Sequence, residues 1–147
     1  MFLTLFCKIY FMDIYKINEI VITVKNQPGV LKSISDVLAK KGININGIVA
    51  YEYNNHALFR IITSDSVTTK KQLSMNKYVI NMKENPLIVV KLINKPGELA
   101  KLTDYIYKFN VNLNVLYTLS DEDDFKYVAL SSSNRSIDEL KDILSGV

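Results

Sequence analysis

A four-residue turn is written twice in this chain. Asn26-Gln27-Pro28-Gly29 ends one apolar run, and Asn94-Lys95-Pro96-Gly97 ends another 68 positions later. Proline removes a ladder donor and glycine permits left-handed backbone, so each copy breaks a strand. An amphipathic helix pattern follows each turn. A further asparagine stands 18 residues after each first one, at Asn44 and Asn112. The same offset of 68 superposes Val21 on Val89, Leu31 on Leu99, Asp36 on Asp104, Lys40 on Lys108 and Asn46 on Asn114. A chain built this way holds two copies of one small module, too few for a solenoid.

Within the first copy, Ile20-Val21-Ile22-Thr23-Val24 reads as a strand covered on both faces, with Asp13 to Glu19 leading in. Val30 to Lys41 reads as a helix with Val30, Leu31, Ile34, Val37 and Leu38 inward and Gly42 as its stop. Ile43 to Tyr53 and His56 to Thr63 form a hairpin across Asn54-Asn55. Thr68 to Met75 is a short helix, Tyr78 to Met82 a fourth strand, and Glu84-Asn85-Pro86 a boundary. The order then restarts. Leu87 to Ile93 is a strand, and Glu98 to Phe109 a helix with Leu99, Leu102, Ile106 and Phe109 inward. Asn110 stands where Gly42 stood. Val111 to Leu119 and Phe125 to Ser131 are strands about the acidic turn Asp121 to Asp124, and Ser136 caps a helix from Ile137 to Leu144. The pattern is βαββαβ followed by βαββα. It predicts an α+β fold of two tandem ferredoxin-like units, whose right-handed crossovers put the helices on one face of the sheet. The second unit lacks its last strand. That leaves Leu87 to Ile93 with an open edge, to be covered by Met1 to Tyr10 or by another subunit.

Several function classes are disfavoured. A net charge of +3 with mixed signs along the chain gives no basic footprint for nucleic acid. The lone Cys7 has no disulfide partner in the chain, as suits a reducing cytoplasm. The apolar start, Met1 to Cys7 with Ile9-Tyr10-Phe11, is too short to span a bilayer and lacks the marks of a signal peptide. Met12 is an alternative start. Residues 1–16 are therefore assigned to an N-terminal extension, 17–85 to a first domain and 86–147 to a second. His56, the sole histidine, has no companion for a metal site and reads as a solvated hairpin residue. Asp121-Glu122-Asp123-Asp124 lacks the spacing and glycine of a calcium loop. Ser131-Ser132-Ser133 is no nucleophile elbow, and there is no Walker or dinucleotide motif. No acid/base pair or triad stands out. The reading is a non-enzyme without cofactor or metal.

The doubled loop has binding chemistry of its own. The first N–H groups of a helix have no internal acceptor and carry partial positive charge, a seat for a carboxylate or phosphate. Asparagine can donate to one ligand group and accept from another. A free amino acid offers both, as carboxylate and ammonium. The bland alternative is ordinary turn chemistry, since Pro-Gly and Asn are common turn residues.

Asn26-Gln27-Pro28-Gly29-Val30-Leu31, the helix after it and Gly42-Ile43-Asn44-Ile45 resemble an ACT domain. Asn94-Lys95-Pro96-Gly97-Glu98-Leu99 with Asn112-Leu113 resembles a second. The resemblance spans nearly all of residues 17–144 and is to small stand-alone tandem ACT proteins. It implies two units side by side in one antiparallel sheet of about eight strands, and an amino-acid effector at their interface. Each site would join the loop of one unit to the second-strand start of the other. One would use Asn26, Gln27, Gly29, Val30 and Leu31 with Asn112 and Leu113. Its counterpart would use Asn94, Lys95, Gly97, Glu98 and Leu99 with Asn44 and Ile45. Glu98 replaces Val30 at the helix start, where its charge competes with a ligand carboxylate and Lys95 offsets it. The expected function is a non-catalytic amino-acid sensor, cytoplasmic and homodimeric through stacking of apolar sheet faces. The alternatives are a regulatory subunit docking a biosynthetic enzyme, and an RNA-binding ferredoxin-like protein using Tyr51, Phe59 and Tyr127.

Overall fold

The computed structural model describes residues 11–146. In chain order the elements are β1 (Met12–Lys25), α1 (Val30–Lys40), β2 (Ile45–Tyr53), β3 (His56–Thr63), α2 (Ser66–Ser74), β4 (Val79–Ile93), α3 (Glu98–Lys108), β5 (Leu113–Thr118), β6 (Phe125–Ser132) and α4 (Ile137–Ser145). The strands form one six-stranded sheet in the order β2-β3-β1-β4-β6-β5. The expected count of about eight is wrong for a simple reason. The strand Tyr78 to Met82 and the strand Leu87 to Ile93 are one strand, β4, which runs through Pro86 without a turn. Its ladder to β6 spans only Ile88 to Ile93, so Pro86 lies outside that ladder and its missing N–H breaks none of it.

The chain divides into two compact units, Asn18–Asn85 and a second in which Pro86–Val147 is joined by residues up to Ile17. In the first unit β1 pairs antiparallel with β3, setting Ile22 opposite Phe59, and β2 pairs with β3. The Lys25 N–H donates to the Tyr78 carbonyl at 3.1 Å, tying the end of β1 to the start of β4. Alternate residues Ile20, Ile22 and Val24 of β1 face the helices, packing with Val30, Ile34, Leu38, Phe59, Ile61 and Leu73 into one core.

In the second unit β4 and β5 flank β6, with Val89 opposite Ala129. The missing last strand is supplied by the beginning of the chain, so the edge expected to be open is covered. Asp13 on β1 reaches Lys91 on β4 at 3.4 Å, and Lys16 reaches Asp138 on α4 at 3.1 Å. Phe11 packs edge-on to Tyr105 with ring centroids 4.8 Å apart and belongs to the core with Ile88, Val90, Leu102 and Leu130. β1 is thus far longer than Ile20 to Val24, and Asp13 to Glu19 is strand rather than lead-in. Met1 to Tyr10, the cover first expected, lies outside the described residues.

Both helix stops follow the sequence reading. Gly42 at φ 68 and Asn110 at φ 54 end α1 and α3 in left-handed conformation. The hydrogen bonds match too: Ile43 to Leu38 and Gly42 to Ala39, then Val111 to Ile106 and Asn110 to Tyr107. The buried stripes differ from expectation. On α1 they are Val30, Ile34 and Leu38, while Leu31 is 45 % exposed and Val37 half-buried. On α3 they are Glu98, Leu102, Tyr105 and Ile106, with Leu99 and Phe109 turned outward. The phase of α3 copies that of α1, because positions 30, 34 and 38 map onto 98, 102 and 106.

On the sheet face away from those core residues, Val21 and Ile62 in the first unit, and Leu87, Val89 and Ala129 in the second, are buried, whereas Tyr51 and Tyr53 on β2 are exposed. No described helix is long and apolar enough to cross a membrane.

Candidate functional site

The first Pro-Gly turn carries a cavity. Gly29 takes φ 88, which L side chains resist, yet a Cβ placed there would meet nothing within 4 Å. The glycine serves the backbone path, not the space around it. No side chain caps α1 at its N-terminus. The N–H groups of its first turn are left with no intrahelical acceptor. Beside them opens a cavity of about 340 Å³, lined by Asn26, Gln27, Gly29, Val30 and Leu31 from the turn. All five were expected from the sequence. The hairpin adds a wall that was not: Ala50, Tyr51 and Glu52 from β2, and Ala57 and Phe59 from β3. Lys25 at the end of β1 and Lys32 on α1 complete it. Ala50 pairs with Phe59, and Glu52 with Ala57, so these four share the face that carries the core.

The second turn has the same backbone and different contents. Gly97 takes φ 92, again with open space at its Cβ. Where Val30 packs into the core, Glu98 is buried at 3 % exposure. Its carboxylate lies 3.0 Å from the Lys101 ammonium and 3.9 Å from that of Lys95. The Glu98 N–H donates to the Lys95 carbonyl at 3.4 Å. The expected offset of Glu98 by Lys95 is there, and Lys101, which the sequence reading did not single out, is the nearer partner.

The further asparagines sit at the far end of their own units. The Asn44 carbonyl accepts the Ser64 N–H at 3.0 Å, and the Asn44 N–H donates to the Ser64 hydroxyl at 2.9 Å. The next residue, Ile45, pairs with Thr63. The first turn lies at the other end of β3, where Lys25 pairs with His56. Seven strand residues separate the two ends, a rise of about 23 Å. Asn112 is placed alike. It receives the Ser133 N–H at 2.9 Å, while Asn94 donates its N–H to Asp124 at 2.8 Å. Neither unit brings its own turn and its own asparagine together.

Asn112 has a defined side-chain orientation. The Ser133 hydroxyl donates to the Asn112 carbonyl at 3.3 Å, so its oxygen is free to accept from Asn112 Nδ2 at 2.9 Å. Asn112 Oδ1 is thereby left as an acceptor. A β-bulge follows in both units, between Ile45 and Gly47 and between Leu113 and Val115. The extra residue is Asn46 or Asn114, which explains why asparagine recurs at that offset. Asn46 Oδ1 accepts from Asn44 Nδ2 at 2.6 Å, and Asn114 Oδ1 accepts from Ser131 at 2.6 Å.

A buried ionic knot lies in the first unit. Glu19, fully buried, takes Arg60 at 2.6 Å and the Asn85 amide at 2.8 Å. Against the opposing effect of burial, Tyr51, whose strand lines the cavity, and Glu19 hold the Arg60 guanidinium above its ordinary range. The RNA reading loses one of its aromatics, since Phe59 is buried in the core. The Tyr127 hydroxyl is engaged with Glu122 at 2.8 Å, which together with burial holds the phenol above its ordinary range. His56 is exposed, and no group of metal-binding side chains occurs among the described residues.

Comparison with known proteins gave a family match over part of the chain. The model of the AHAS small subunit-like ACT domain matches residues 20–80. A search of the curated proteins gave no match. Among solved structures, protein BT0572 from Bacteroides thetaiotaomicron is 24 % identical with a TM-score of 0.78, over 89 % of this chain and 88 % of that one. The aspartokinase alpha and beta subunits are 16 % identical at a TM-score of 0.61, over 91 % and 95 %. The ligand-free regulatory subunit of aspartate kinase from Thermus thermophilus is 12 % identical at 0.63, over 92 % and 95 %. At these identities the likeness is one of fold.

Proposed function

Residues 20–80 form a domain of the ACT family, and from that premise we propose that the chain is a non-catalytic regulatory protein that senses a free amino acid. The observation that carries this reading is the cavity at the first Pro-Gly turn. It sets uncapped helix N–H groups beside Asn26 and an apolar wall of Val30, Ala50, Ala57 and Phe59. The ligand carboxylate takes the N–H groups and the side chain takes the wall. The lining of this cavity comes wholly from residues 25–59, so Asn112 and Leu113, expected beside Asn26, are not part of it.

The two sites are unequal. Glu98 already places a carboxylate at the start of α3, held by Lys95 and Lys101. A ligand carboxylate must compete with it, whereas the corresponding Val30 offers no charge. The test begins with a thermal-shift screen of the twenty amino acids, because a ligand that binds only the folded state raises the melting temperature. Calorimetry on Asn26→Ala and Asn94→Ala then ranks the sites. The larger loss is expected from Asn26→Ala, and a larger loss from Asn94→Ala would reverse the ranking.

A second reading shares the chemistry and adds a partner. The likeness in fold to a regulatory subunit of aspartate kinase supports a regulatory subunit that docks a biosynthetic enzyme. Recovery of one metabolic enzyme with the tagged chain, released or retained by the amino acid found in the screen, would favour it. Sizing by light scattering tests the homodimer.

A further inference from the structure

The cavity at the first turn holds charges of both signs. Lys25 stands at the end of β1, and Glu52 stands near the end of β2 on the core-bearing face with Ala50, Ala57 and Phe59. Lys32, the other cation of the lining, is paired with Asp36. Neither Lys25 nor Glu52 takes an ion-pair partner among the described residues. An unpaired cation and an unpaired carboxylate in one cavity suit a ligand that is itself a zwitterion. The second repeat lacks the pair. At the matched offset of 68, Lys25 becomes Ile93 and Glu52 becomes Ser120, while Val30 becomes Glu98.

We propose that Glu52 is a specificity-determining residue of this cavity, taking the ammonium of an amino acid whose carboxylate lies toward Lys25 and the start of α1. The inference rests on the amino-acid reading above and sharpens it. The first turn then carries its own selection for the α-ammonium, apart from any group that the other repeat provides. Glu52 makes the cavity a reader of zwitterions and not of carboxylates at large. A carboxylic acid of the same shape without its amino group would leave Glu52 unpaired and add an uncompensated negative charge beside it. The second turn, with Ser120 and Glu98, has no such selection.

The test uses the full chain and Glu52→Gln, which keeps the size of the side chain and removes its charge. Alanine, valine, leucine and phenylalanine are titrated by calorimetry beside their des-amino counterparts, propionate, 3-methylbutanoate, 4-methylpentanoate and 3-phenylpropanoate. The unaltered chain should bind at least one amino acid about tenfold more tightly than its counterpart. In Glu52→Gln that ratio should fall about fivefold, in line with the worth of an exposed charge pair, through loss of amino-acid affinity together with relief of the repulsion on the des-amino acid. If the ratio is the same in both proteins, or if the unaltered chain does not discriminate, the role of Glu52 is overturned and the amino-acid reading stands. If neither these eight compounds nor any other amino acid of the twenty binds the unaltered chain, both fall together.

Discussion

Three residue positions carry most of what is specific here. Gly29 and Gly97 adopt φ 88 and φ 92 with nothing near their missing side chains. The reason for glycine is therefore conformational alone. Gly29→Ala should destabilise the chain by about 1–2 kcal/mol, read from urea denaturation, while a D-alanine introduced by chemical ligation should not. Glu19 is the other. Its carboxylate is fully buried and compensates Arg60, with Asn85 as a further donor. Glu19→Ala should cost about 2–3 kcal/mol, below the cost for a fully buried pair because Arg60 keeps some contact with water. A double variant with Arg60→Met should recover part of that loss, and the urea midpoint checks it. The turn residues of the cavity were legible in the sequence because they are contiguous. Lys25 precedes them by one position, at the end of the strand. Glu52, Ala57 and Phe59 were not legible, because a hairpin more than twenty residues away brings them in. One signal was present. Lys25 and Glu52 are charges with no counterpart at Ile93 and Ser120.

At the scale of elements, duplication explains both what was readable and what was not. The helix stops at Gly42 and Asn110 were readable from local chemistry. The phase of α3 was not, because apolar Leu99 and Phe109 looked like better core residues than Glu98. Comparison with Val30 at the matched position gives the right face, since both copies keep one packing geometry. β4 was misread for a related reason. Proline usually ends a strand, but here it lies beyond the β6 ladder. The start of α2 is a further local device. Asp65 caps it, and hydrogen bonds from the Thr68 hydroxyl and backbone N–H hold its carboxyl below the ordinary range. A carboxyl with a depressed folded value contributes stability above its unfolded value and loses it as pH falls through the folded one. Asp65→Asn should thus lower the melting temperature less at pH 3 than at pH 7, and thermal melts across that range check this.

At the scale of the molecule, the start of the chain is structural. Phe11 to Ile17 supplies a core ring and the last strand of the second unit. A chain beginning at Met12 should keep the fold with a lowered melting temperature, since it loses the Phe11–Tyr105 contact. A chain beginning at Asn18 should lose the second unit as a cooperative structure. Hydrogen exchange would then show fast amides in β5 and β6, while α1, β2 and β3 stay protected. That role was hidden in the sequence. Residues 13–19 carry charged and polar groups at most positions, and their partner strand lies some seventy residues downstream.

This placement of β1 has a consequence for synthesis. A ribosome delivers Met12–Ile17 before the first unit, yet its neighbour in the second unit, the latter part of β4, comes after the whole of the first unit has been made. The first unit can fold on emergence, since all of its strands lie between Asn18 and Asn85. The leading strand must wait beside a folded domain with its own edge unpaired. The segment made ahead of the first unit is thus paired only after that unit is complete, and slow elongation past Pro86 would lengthen its exposure to chaperones and to like strands on neighbouring nascent chains.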